Sequence, residues 1–316
     1  MRRASSSTTA GSSWRIRDTT LPIGSRTMST ISTSSWTTTS IPEGANNEGL
    51  FFSSLNPLAP ITIVMLHVLL SSHLEWAHCW PKLSEYHLLI PDLPQHSRSR
   101  HVGPFSFGLA ADLVATMIRE HAHDGRAHLV GISTGGFVAM ELIKRHPDVV
   151  LSAFLSGATP LNDLWKSINS QPKLAYLGFS VLLHSPKGLL YKATGWAPEF
   201  QNDELLKEIK RNSTSRLYEA GSRDTNAWNR EDMVEVGKRD KRIALVAGGK
   251  QDNVEGMQQM GKLLRSLGSD QGMQSSAFVV KDAIHAWNLQ YPLLFARGVR
   301  AWIEKAPLPQ AFEPLE

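Results

Sequence analysis

The stretch Gly131-Ile132-Ser133-Thr134-Gly135 constrains this chain more than any other. It fits G-x-S-x-G, a pattern that stands a serine on a sharp turn between a strand and a helix, clear of both. Side chains two residues either side of the serine would collide in such a turn, so glycine occupies both places. The pentapeptide alone occurs by accident in glycine-rich chains. Here an apolar run, HLVGIS (128–133), precedes it, and GGFVAMELIKRHP follows with helical periodicity until Pro147 must end it. That context commits the region to a strand–turn–helix unit.

The same cadence runs on both sides. FFSSL (51–55), ITIVMLHVL (61–69), HLLIPD (87–92) and VVLSAFLSG (149–157) read as strands, and residues 107–123 repeat apolar side chains at helical spacing. KRIALVAGG (241–249) and SAFVVKD (276–282) restore the strand rhythm later, with a helix between them at 254–267 and a closing helix over 293–305. The expected fold is α/β, a doubly wound, mostly parallel sheet. Between about 160 and 235 the chain is helix-like and loop-rich, with few strand signals. A helical insertion in such a sheet is expected to cap the end where ligands bind. The predicted organisation is a leader at 1–45, a core from 46–160 and 236–316, and a helical cap at 161–235.

Charge is distributed unevenly. Residues 1–41 hold five arginines against the single acid Asp18, a balance equal to the net +4 of the whole chain. Residues 42–316 are therefore balanced, and nothing there attracts nucleic acid or an anionic membrane. The leader is rich in Ser and Thr and has no apolar stretch of secretory type. Its composition matches a mitochondrial transit peptide, and equally a disordered leader or an over-extended start ahead of Met28. Without a genuine transit peptide the expected location is cytoplasmic. No run reaches the roughly 20 apolar residues of a membrane span. Cys79 is the only cysteine, which excludes a disulfide framework and points to a buried thiol. His121 and His123, two apart on a helix, face different ways and make a poor metal pair; no metal or cofactor is expected.

A serine hydroxyl is a weak nucleophile unless a base takes its proton and an acid orients that base. In the order associated with the G-x-S-x-G turn, both partners lie C-terminal to Ser133. Three histidines qualify. His146 ends the helix after the turn, and His184 falls in the presumed cap. His285 follows a strand and precedes a helix, at the carboxyl end of the sheet, and is the expected base. For the acid, AGGKQDN offers Asp252, with Glu255 three residues on in what reads as a first helical turn, and Asp163 as a third candidate. Asp252 is favoured, because a short carboxylate suits a fixed hydrogen bond to imidazole.

GISTG, AGGKQD and DAIHAW together resemble the α/β-hydrolase superfamily of serine hydrolases, over residues 50–160 and 241–303, and look most like compact fungal hydrolases. That resemblance implies an oxyanion hole made by the backbone N–H groups of Leu69 and Thr134. It makes His67 a structural residue that ties down the loop after its strand. Two departures stand out. Val68 occupies a place where the superfamily usually has glycine, and a β-branched residue resists positive φ at about 1–3 kcal/mol. Gln95 and Ser97 also replace frequent glycines and could narrow the site or re-aim the donor.

The expected activity is hydrolysis of a small, moderately apolar carboxylic ester or thioester through an acyl-enzyme on Ser133. Some fungal members of the superfamily act in secondary metabolism, and the same role is an expectation here. The alternatives are a non-hydrolytic ligand-binding protein of the same fold, or acyl transfer or carbon–carbon cleavage by the same three residues.

Overall fold

The computed structural model describes residues 49–161, 166–167, 170–268 and 274–315. The leader and Asp163 lie outside the described residues. Among the described residues eight strands form one sheet: β1 (Phe52–Leu55), β2 (Thr62–Leu66), β3 (His87–Pro91), β4 (Ala127–Ile132), β5 (Val150–Ser156), β6 (Arg242–Gly248), β7 (Ser276–Val280) and β8 (Glu313–Pro314). Their spatial order is β1-β3-β2-β4-β5-β6-β7-β8, and only the two edge pairings, β1 with β3 and β7 with β8, are antiparallel. This is the alternating, mostly parallel architecture read from the sequence.

Both faces of the sheet are covered, so its central strands are apolar throughout rather than alternating. Val64, Leu66, Leu129 and Leu245 point to one side, into a core shared with α1 (Phe107–His121), α2 (Thr134–Arg145), α7 (Arg230–Gly237) and α8 (Val254–Leu267). Ile63, Met65, Val130 and Val246 point to the other, onto α9 (Pro292–Ile303) and the segment around Trp76 and Leu83. The switch of face at each residue is the strand period of two. Each fully buried Leu, Ile or Val contributes about 1.5–3 kcal/mol of transfer free energy.

Local signals set the helix ends. Ser106 Oγ accepts the Leu109 N–H at 3.1 Å and starts α1, and Asn253 Oδ1 accepts the Gly256 N–H at 3.0 Å and starts α8. The helical stretch between β5 and β6 contains α3 (Pro172–Leu183), α4 (Lys187–Thr194), α5 (Asp203–Asn212) and α6 (Ser215–Ala227), ahead of α7. α7 packs on α2 and α8 and adds Met233 and Val236 to the main core. No described helix is long and apolar enough to cross a membrane.

β2 is shorter than its apolar run suggested. It stops at Leu66, the last residue paired with β4, and the chain continues as a loop at 67–72.

Candidate active site

Ser133 sits between β4 and α2 with φ 52° and ψ −120°, a conformation that costs a non-glycine residue roughly 1–3 kcal/mol. Its N–H is held by Ser156 O at 2.8 Å. The flanking glycines are required by close approach. A Cβ on Gly135 would stand 2.1 Å from Leu66 O, and one on Gly131 would stand 2.6 Å from Gly135 O. The serine is thereby lifted clear of the strand and helix that carry it.

Asp252 and His285 come from the loops after β6 and β7. His285 Nδ1 and Asp252 Oδ1 are 2.5 Å apart, while Asp252 Oδ2 accepts the Gly248 N–H at 2.7 Å. The imidazole thus donates from Nδ1, which leaves Nε2 as the available lone pair. The Asp252 carboxyl is 4% exposed and the His285 ring 39% exposed, so the acid is buried behind a base that reaches the cavity. Desolvation pulls the His285 pKa down, but the charge and hydrogen bond of Asp252, with a further contribution from Glu75, raise it above its ordinary value. Gly157, at φ 60°, lies beneath the pair: a Cβ there would meet His285 Cε1 at 2.6 Å and Nδ1 at 2.8 Å. Gln251 Oε1 fixes the loop by accepting the His285 N–H at 2.8 Å.

Ser133, Asp252 and His285 line one cavity of about 640 Å³. Leu69, Phe137, Tyr218 and Met257 supply its apolar wall. Tyr218 comes from α6. Thr134, the first residue of α2, also lines the cavity, and among the described residues neither Leu69 N–H nor Thr134 N–H has an acceptor. A larger hollow of about 790 Å³ lies between α4 and α9, around Trp196 and Arg297, and contains none of the three residues.

The other candidates lie elsewhere. His146 caps α2 and meets Asp112 at 2.7 Å, and the exposed His184 ring bonds Ser180 O at 2.8 Å, away from the cavity. Glu255 occupies the first turn of α8, exposed and bonded to Gln259. Cys79 is buried, and burial followed by the nearby Glu75 carboxyl pushes its thiol pKa up.

The loop at 67–72 differs from expectation in one respect. Val68 is not at positive φ; Leu70 is, at 67°. The valine's N–H reaches Glu75 Oε2 at 3.1 Å, and its carbonyl accepts from His67 Nδ1 at 2.8 Å and from the Ser71 N–H at 3.1 Å. Gln95 and Ser97 do take positive φ, at 63° and 42°, yet neither lines the cavity. Instead Gln95 Oε1 accepts the Phe105 N–H at 2.8 Å and Ser97 N–H donates to Asn212 Oδ1 at 2.7 Å, which braces the loop from behind.

His67 is structural, as expected, but it does not act alone. Its Nε2 accepts the Leu93 N–H at 3.0 Å, while His96 Nε2 accepts the Leu70 N–H at 3.0 Å and His96 Nδ1 donates to Pro94 O at 2.9 Å. Each loop therefore grips the other through one neutral histidine. Burial holds His67 at a pKa of about 4 and His96 at about 3. Asn212, at the end of α5, adds a third tie, donating to Leu70 O at 3.1 Å and to Ser71 O at 2.8 Å. Sequence reasoning missed His96, Gly157 and Asn212, whose partners lie far away along the chain.

Residues 61–282 match the family described as alpha/beta hydrolase fold. An AB hydrolase superfamily protein of Gibberella zeae is 28% identical over 271 residues, which span 84% of this chain and 87% of that one. Ethanol acetyltransferase 1 of Kluyveromyces lactis is 23% identical over 214 residues, 55% of this chain and 56% of its own. Among solved structures, a thermophilic esterase from Thermogutta terrifontis superposes with a TM-score of 0.59 at 18% identity, over 81% of this chain and 93% of that one, which is a likeness of fold.

Proposed function

Because the chain belongs to the alpha/beta hydrolase fold family, we propose that it is a serine hydrolase that cleaves a small carboxylic ester or thioester through an acyl-enzyme on Ser133. The observation that carries this is the shared cavity: it is lined by a serine raised at φ 52° and by a histidine whose Nδ1 is fixed by a buried aspartate. Ser133 Oγ attacks the carbonyl carbon while His285 Nε2 takes its proton. Asp252 holds the ring in the Nδ1–H tautomer and stabilises the imidazolium that forms. Leu69 N–H and Thr134 N–H receive the negative charge on the carbonyl oxygen, and losing one such donor typically costs about 2.7–4 kcal/mol. The imidazolium returns the proton to the leaving oxygen or sulfur. Water, deprotonated by the same nitrogen, then releases the acid and restores Ser133.

The apolar wall of Leu69, Phe137, Tyr218 and Met257 favours a moderately apolar acyl group. A place in fungal secondary metabolism is the finer part of the proposal, supported by the resemblance to compact fungal hydrolases. The similarity to an acetyltransferase favours one second reading, in which an alcohol rather than water accepts the acyl group. Stopped-flow hydrolysis of a series of p-nitrophenyl esters tests the first: a burst of nitrophenolate equal to the enzyme concentration, abolished in Ser133→Ala, is expected. No turnover of any ester or thioester would reject it. A new ester forming faster than acid when ethanol is added would establish the transfer reading instead.

A further inference from the structure

We propose that Glu75 is a positioning residue which locks the loop bearing Leu69 to the loop bearing His285, an inference that rests on Ser133 being the nucleophile. Glu75 lies in the short 3-10 turn His73–Trp76 and is 1% exposed. Each of its oxygens takes a donor, and the Ser71 hydroxyl of the Leu69 loop also lies against the carboxyl. Val68 N–H reaches Oε2 at 3.1 Å, and Asn288 Nδ2 reaches Oε1 at 3.0 Å. Val68 immediately precedes Leu69, and fully buried Asn288 follows His285 by three residues. Between them Trp287 Nε1 anchors the same segment on Ser156 Oγ at 2.8 Å. One carboxyl thus spans the two loops that the reaction needs in register, although the mechanism itself does not use it.

A role in stability alone does not account for this choice. No lysine or arginine pairs with Glu75 among the described residues, and burying an unpaired carboxyl is expensive where an apolar side chain would pack. What the carboxyl adds is directed hydrogen bonds to both loops and a field. The titratable groups facing it are His285, itself backed by Asp252, and the Cys79 thiol. Burial pushes the Glu75 carboxyl up, opposed by its hydrogen bonds and by His285. When ionised, Glu75 is a second, more distant anion that favours protonated His285.

Glu75→Gln keeps the size but sets an amide NH₂ against one of the two donors. In the full-length chain, kcat on a short p-nitrophenyl ester should fall about 10–100-fold with KM changed less than about threefold, because the loss falls on transition-state contacts. The pH midpoint of fluorophosphonate labelling should also move down, which a merely structural residue would not cause. In Glu75→Gln/Asn288→Asp, the introduced amide can accept from Val68 N–H and donate to the carboxyl now at position 288. That exchange should recover most of the lost rate. The inference is overturned if folded Glu75→Gln keeps wild-type kcat and midpoint, or if the double variant melts like wild type yet works no better than Glu75→Gln. Should Glu75→Gln not accumulate as folded protein, Asn288→Ala reads the same link from its other end. It must lose kcat at constant KM, and wild-type kcat there overturns the inference. Failure of the wild type to label at Ser133 at all would instead remove the reading of the nucleophile, and this inference with it.

Discussion

Replacing Gly157 by alanine places a methyl group where the His285 ring now lies. The added carbon would stand 2.6 Å from His285 Cε1 and 2.8 Å from Nδ1, whereas carbon atoms rest at about 3.5–4.0 Å. The ring must therefore retreat by roughly 1 Å, away from Asp252 and from the line to Ser133. A misplacement of that size typically lowers rate by about 10²-fold. The backbone also resists: at φ 60° an L-residue pays about 1–2 kcal/mol, or about 2–8 °C in Tm for a domain of this size. Gly178→Ala is the control. It sits within α3 with nothing near its Cβ position, and should gain roughly 0.5–1 kcal/mol with unchanged activity. Labelling by a fluorophosphonate, read beside a thermal melt, measures both effects. Gly157→Ala that shows the Tm loss yet labels within twofold of wild type would refute the placement of His285 as the working base.

Val68→Gly should give no gain in ester turnover, because the valine is not at positive φ; a severalfold increase would show hidden strain. The labelling rate should rise with pH through a midpoint above 6.5, since the raised His285 is an effective base only when neutral; a midpoint near 5 would mean that Asp252 does not govern the ring. His67 binds its proton near pH 4 folded and near 6.5 unfolded, so stability is retained above about 6.5 and lost as pH falls toward 4. Between pH 7 and 5 that amounts to about 2 kcal/mol from this residue, which urea titration of His67→Asn should remove from the pH dependence; an unchanged dependence contradicts the neutral clasp. Asn212→Ala strands the Ser97 N–H and frees Leu70 O, so a loss of about 1–3 kcal/mol and slower labelling are expected; wild-type stability would show the tie to be idle.

The sheet was legible because its strands are short apolar runs closed by proline, glycine or polar clusters, the pattern of buried strands. Ser133 was legible for a different reason: its turn needs glycine at both flanks, and the chain prints that need locally. Asp252 and His285 stood out by falling just past strand ends, where a parallel sheet gathers its loops. Val68 misled, because the position that turns left-handed in this loop is Leu70, two residues on. A glycine signature shows that a bend exists without showing which residue makes it. His96, Gly157, Asn212 and Glu75 left no local trace. Each matters only through a partner brought near by folding, as when Asn212 bonds Leu70 across 142 positions.

Treatment with a fluorophosphonate, followed by peptide mass mapping, asks whether Ser133 is a nucleophile served by His285. One adduct is predicted, on the peptide containing Ser133, absent from Ser133→Ala and formed at least about 10³-fold more slowly in His285→Ala. An adduct on any other residue, or equal labelling of Ser133→Ala, would contradict that role.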